Sequence, residues 1–321
     1  MHFHHLHFYV NELGFWQRWF CDKLAFHTVA SPDVPTVRSP AHNSSIESSV
    51  VLRHGQIEVR LSAPGNRLST PKHPPEDSQG NSINPLSRAT GTSEVSQYLK
   101  QHPPGLVDIA FATEHFDAVL TRSLQKGAVV LTPVHINDQG NRQCQLQGWQ
   151  HLRHTLIEVP PDWTHHNLTP ASQSSTRWLS AIDHVVLNVP KGELAVAAAW
   201  YQKVFGLIPS QKFKITTARS GLSSQVLVHP EGTLQLPINE PTSNNSQIQE
   251  FLNHNRGAGI QHVALRSQDA VGAIAQFRQQ GLNLLNVPAT YYDNLPQRAD
   301  CPLQDFSAIQ QQQLLIDWPQ G

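Results

Sequence analysis

The chain has 321 residues, 23 Lys+Arg against 24 Asp+Glu, and a formal net charge of −1. At roughly 150 residues per domain this length points to two domains, and the even charge balance directs no field at nucleic acid or an anionic membrane, so a small molecule is the default partner. Cys21, Cys144 and Cys301 form neither a CxxC motif nor a disulfide framework, MHFHHLHFYV lacks the regions of a signal peptide, and no apolar run reaches the ~18 residues of a membrane span, all of which suits a reducing cytoplasm.

In chain order, the first predicted strand is Leu6 to Val10, followed by a helix over Leu13 to Leu24 with Trp16, Trp19 and Phe20 at helical spacing. The Pro/Ser/Asn-rich stretch 63–93 cannot bury enough apolar surface to order itself and reads as a surface loop. A second strand, Asp108 to Ala112, precedes a helix from Phe116 to Gln125. Pro160 to Ser175 reads as a linker. The pattern then returns: strand His184 to Val189, helix Leu194 to Val204, strand His262 to Leu265, helix Ala270 to Gln279. Three of the helices end at or just before Gly127, Gly206 or Gly281. A run of glutamines from Gln310 to Gln313 reads as a flexible insertion. Four units of about βαβββ type, two per domain, describe this economically, with domains at 1–160 and 178–321 and a linker at 161–177. Periodicity alone supports a repeated α+β fold.

Histidine stands at the start of two equivalent strands, in AIDHVVLNV at His184 and in GAGIQHVALRS at His262. Strand alternation lets both point to one face, where two neutral imidazoles can present lone pairs to a divalent metal. Two histidines and a carboxylate on one octahedral face suit iron(II). In a chain with 19 histidines, spacing alone leaves a strand histidine open to a purely structural role. The crowding of His2, His4, His5 and His7 suggests a metal cluster, yet alternation sends even and odd positions to opposite faces.

The strings IDHVVLNV, WYQKVFGL, QLPINEP, NNSQIQEFL, NRGAGIQHVAL and NVPATYYDNL occur in that order. Together they resemble the 4-hydroxyphenylpyruvate dioxygenases of the vicinal oxygen chelate superfamily. The resemblance implies paired βαβββ modules closing a curved sheet round an Fe(II) site, with His184 and His262 as iron ligands and Ser224, Asn239, Gln247 and Gln261 around the substrate. Amides and a hydroxyl orient a keto acid and a phenol without adding charge beside iron, and a buried network tying strands together is their structural alternative. The family reaction turns 4-hydroxyphenylpyruvate and dioxygen into homogentisate and CO2, in tyrosine catabolism or in quinone and tocopherol precursor supply. It implies a cytoplasmic enzyme with no nucleic-acid or membrane partner and leaves a homo-oligomer open.

In the family a Glu on a late strand of the type FFEII completes the ligand set. Nothing after Tyr292 matches that strand, and Asp293, Asp300, Asp305 and Asp317 lie in loop-like sequence. The expectation is therefore a fourth module incomplete at its end, no third iron ligand, and impaired activity. In the first domain, repeat alignment sets His5, Asp108 and Glu158 against the ligand positions, and the family implies a metal-free copy there. Two alternatives stay open: hydroxymandelate synthase, for which Pro237 and Asn239 in LPINEP look less suited, and a non-catalytic remnant or keto-acid-binding protein.

Overall fold

The computed structural model describes residues 1–29, 47–65, 93–161, 163, 178–216, 220–231, 234–298 and 305–318. Most of the expected surface loop and linker lies outside them. The first sheet is built from β1 (His2–Tyr9), β2 (His27–Thr28), β3 (Glu47–His54), β4 (Ile57–Pro64), β5 (Gly105–Thr113), β6 (Val130–Ile136), β7 (Arg142–Gln147) and β8 (Arg153–Glu158), in the order β2-β3-β4-β1-β5-β8-β7-β6. Helices α1 (Leu13–Leu24), α2 (Glu94–Gln101) and α3 (Phe116–Gln125) connect its strands. The second sheet holds β9 (Ala181–Asn188), β10 (Ile208–Thr216), β11 (Gly221–Val228), β12 (Gln235–Pro241) and β13 (Gly259–Arg266) in the order β10-β11-β12-β9-β13, with α4 (Leu194–Phe205) and α5 (Gln247–Asn255) between strands.

The first module of each sheet opens with a strand that pairs parallel to the last strand of its own module and antiparallel to the opening strand of the next: β1 with β4 and β5, β9 with β12 and β13. This α+β architecture is the paired-module arrangement. The four expected helices keep their bounds to within one residue, α4 running on to Phe205, because their apolar residues recur at helical spacing and their ends are local. Gly206 closes α4 at φ 69°, whereas α1 closes on Ala25 at φ 55°, a left-handed cap without glycine that the sequence does not advertise.

One face of each sheet shares a single apolar core. Val185 and Leu187 of β9, Leu236 and Ile238 of β12, and Ala197, Ala198, Tyr201, Val204 and Phe205 of α4 join Phe111 and Leu156 of the first sheet and Phe116 of α3. Polar bonds stitch the same seam. Arg122 of α3 donates to the carbonyls of Val204 (3.2 Å) and Phe205 (2.7 Å), and His154 of β8 lies 3.0 Å from the Tyr201 hydroxyl.

His154 is buried neutral: its Nδ1–H donates to the Ile109 carbonyl, its Nε2 accepts from Tyr201, and burial pushes it down to about 4. His5 is also held well below its ordinary value by burial. The unfolded chain binds these protons near pH 6.5 and the folded chain does not. Stability therefore falls as pH drops from about 6.5 through about 4. Urea midpoints measured at pH 7 and pH 4.5 should show the loss, and His154→Gln should reduce it, leaving the share that comes from His5.

After Arg266 the described residues form helices and turns only: α6 (Ala270–Gln279), α7 (Ala289–Asn294), a 3-10 turn at Leu295–Gln297 and α8 (Ser307–Gln311). Among them β13 has one strand partner, β9, and forms the sheet's edge. The glutamine run is not a loose insertion. Gln310 and Gln311 end α8, the Gln312 carbonyl accepts from Arg278, and Gln313 Oε1 accepts from the Val287 N–H. Tyr291 and Tyr292 of α7 bond the Ile316 and Leu314 carbonyls through their hydroxyls. Asp293, expected in loop, lies in α7. No helix among the described residues is long and apolar enough to cross a membrane.

Candidate functional site

Val185 and Leu187 point into the core, so alternation places His184, Val186 and Asn188 on the opposite face of β9. Across the sheet, His262 pairs with Val186 and Ala264 with His184. The two imidazoles therefore meet diagonally, with ring centroids 5.8 Å apart and planes at 76°. Period-two alternation would separate Gln261 from His262, but the ladder slips between Ile260 and His262 and leaves Gln261 as an extra residue without a cross-strand partner. A second slip, between Ala264 and Leu265, makes Asp183 the extra residue on β9.

That second slip has a chemical result. Asp183 Oδ2 sits 2.9 Å from His184 Nδ1, and its Oδ1 accepts from Arg266 Nη2 (2.6 Å) and Nε (3.1 Å). Partial burial alone would raise the Asp183 carboxyl; the His184 and Arg266 hydrogen bonds outweigh it and hold the group below its ordinary range. A carboxylate on Nδ1 fixes the tautomer with the Nε2 lone pair outward, which is what a metal requires of histidine. His262 lies on the exposed edge strand, and its pKa is lowered by desolvation and then by His184. Neither Asp183 nor Arg266 was singled out by sequence; an Asp directly before the histidine was the only signal.

The expected substrate residues divide. Ser224 and Asn239 are direct cross-strand partners and buried, and Asn239 lies beside Asn188, to which its Nδ2 donates at 3.3 Å. Gln261 adjoins His262 on β13. Gln247 stands apart, exposed at the first turn of α5, where it lines a groove with Gly221, Leu222 and Glu250.

Two facing imidazoles, one of them His184 with its Nδ1 taken by Asp183, fit part of an iron(II) site. Among the described residues no Asp or Glu joins them in a group of three. Asp183 is held by Arg266, and Asp317 is exposed beside Arg298 at 3.3 Å. In the first sheet, His5, Asp108 and Glu158 do not form a ligand set. Asp108 accepts from Thr155 and Gln145, and Glu158 is taken by Arg142 at 2.7 Å. The group that does converge is His4, His5 and Glu58, all buried, with the two Nδ1 atoms 2.9 Å apart. A slip between Phe3 and His5 brings the adjacent histidines together, against the expectation from alternation. Both Glu58 oxygens already accept from guanidiniums, Arg53 at 2.7 Å and Arg60 at 2.9 Å, so a dication there would face two positive charges with one carboxylate. That cluster does not fit a metal.

Residues 181–300 match the family model of the Glyoxalase/Bleomycin resistance protein/Dioxygenase superfamily. An uncharacterized protein of Synechocystis sp. is 34% identical over 203 residues, 62% of this chain and 57% of that protein. A 4-hydroxyphenylpyruvate dioxygenase of Caenorhabditis briggsae is 31% identical over 255 residues, 71% of this chain and 64% of the relative, so the chain matches less than two thirds of either. A triple variant of 4-hydroxymandelate synthase from Streptomyces coelicolor superposes with a TM-score of 0.74 over 98% of this chain and 83% of that one, at 23% identity, and shows the shared fold. With the module topology and the paired strand histidines, these likenesses make the chain similar to the 4-hydroxyphenylpyruvate dioxygenases, enzymes of the vicinal oxygen chelate superfamily.

Proposed function

We propose that the protein is a non-haem iron(II) dioxygenase acting on 4-hydroxyphenylpyruvate and dioxygen to give homogentisate and CO2. The meeting of His184 and His262 on the face turned away from the core carries this reading. When bound, iron(II) supplies the chelation of the keto acid and the activation of dioxygen. The chain's own residues do the rest. His184 and His262 hold the metal, and Asp183, clamped by Arg266, keeps His184 in the ligating tautomer. Ser224, Asn239 and Gln261 orient the substrate, with Gln247 at the margin. The third ligand, a carboxylate, is supplied by neither Asp183 nor Asp317, so we expect weak iron retention and slow turnover.

Oxygen uptake with added iron(II), ascorbate and substrate, followed by chromatography of products, tests the reading. The expected outcome is a low, iron-dependent yield of homogentisate. 4-Hydroxymandelate as product would make the protein a synthase, and a chain that neither binds the keto acid nor releases CO2 would be a remnant.

A further inference from the structure

The turn that joins β7 to β8 carries a glutamine where glycine would cost the backbone less. The Leu152 N–H closes this turn on the Trp149 carbonyl at 3.1 Å, and Gln150, its first central residue, has φ 53°. That left-handed position favours glycine, so a longer side chain kept there points to a compensating contact. Gln150 makes two, both with residues outside its own sheet. Its Oε1 accepts from the Ala258 N–H at 3.2 Å. Its Nε2 donates at 3.2 Å to Glu193 Oε2, which also accepts from the Trp149 indole N–H at 3.3 Å.

Ala258 is the residue just before β13, and the stretch around it is fastened from other sides too. The Asn255 Nδ2 donates to the carbonyls of Ala258 (2.9 Å) and Gly257 (3.1 Å), and the Asn255 carbonyl accepts from His102 Nδ1 at 2.7 Å. Gln150 and His102, both from the part of the chain that builds the first sheet, thus grip the backbone that leads into the strand of His262.

The grip bears on register. Among the described residues β13 pairs with β9 alone, and its ladder keeps step at Gly259 and Ile260, then passes over Gln261 before His262. A strand with a single partner can shed such a kink by sliding one residue along it, and each residue that slides changes sides. A strand fastened at Ala258 cannot slide.

We propose that Gln150 is a positioning residue for the metal site: by holding Ala258 it keeps β13 in the kinked register that sets His262 beside His184. This rests on the functional reading above. It makes the second sheet's metal affinity depend on a turn of the first.

Cobalt(II) titration of the full chain, read together with melting temperature and hydrogen exchange, separates this role from plain stabilisation. Gln150→Gly suits the left-handed backbone, which offsets the lost side-chain contacts, so its melting temperature should stay close to wild type. Its cobalt affinity should fall about fivefold, the measure of one hydrogen bond, and the amides from Ile260 to Ala264 should exchange faster. Gln150→Glu keeps an acceptor for the Ala258 N–H and sets a second carboxylate against Glu193, so it should melt lower and bind cobalt as wild type does. Affinity and melting temperature that move together in both variants overturn the proposal, as does wild-type affinity or wild-type exchange in Gln150→Gly. A wild-type chain that binds no cobalt overturns the functional reading, and this inference with it.

Discussion

Replacing His184 or His262 with alanine is expected to abolish measurable binding of one divalent metal by the second sheet. Titration with cobalt(II), followed by its visible absorption, reads this without relying on turnover. Each imidazole supplies one of the two ring-nitrogen donors brought together there, with centroids 5.8 Å apart, so neither loss has a local substitute among the described residues. Asp183→Ala should give an intermediate result. It removes the acceptor on His184 Nδ1 and frees the ring to turn and to change tautomer, which costs roughly 10–100-fold in metal affinity. Full affinity in either histidine variant would remove that residue from the site. Equal losses in Asp183→Ala and His184→Ala would mean that Asp183 is itself a ligand and not a positioning residue.

Tyr201→Ala is expected to destabilise the fold by about 3–5 kcal/mol, the range for emptying a buried aromatic site. Tyr201 is 0% exposed between α4 and the first sheet, packed by Phe205 and Trp200 and bonded to His154. Tyr201→Phe keeps the ring and strands the buried His154 Nε2, at about 1–3 kcal/mol. Urea unfolding separates the two changes by midpoint. Indistinguishable midpoints for Tyr201→Phe and wild type would show that the His154 bond adds nothing to the packing.

The strands and helices of the repeat were legible because their signals are local: apolar residues at helical spacing in α1 and α3, and apolar strand openings at β9 and β13. His184 and His262 were visible for the same reason, being matched words at matched places in two modules. The neighbours were not. Whether Gln261 or Asp183 shares a side with the adjacent histidine depends on which residue the ladder leaves unpaired, and register is set by pairing with a distant strand. The same blindness put His4 and His5 on opposite faces on paper and 2.9 Å apart in the fold. Arg266, four residues past His262, clamps Asp183 only because β13 runs antiparallel to β9. The glutamines at 310–313 read as low complexity, since composition does not reveal that Arg278 and Val287 wait for them.

The slips recur by position in both sheets: His4 and Asp183 each precede the first-module histidine, and Val107 and Gln261 each precede its partner, Asp108 or His262. A duplicated gene segment would carry such a kink as a count of residues, whatever side chains later occupied it. The ancestral half would then have fixed where two neighbours crowd together, and each copy afterwards chose its own chemistry: carboxylate on imidazole in one, imidazole on imidazole in the other. Substitution at these places is therefore cheap for the architecture. Insertion or deletion of a single residue is not, because it would iron out the kink and turn everything beyond it onto the wrong side.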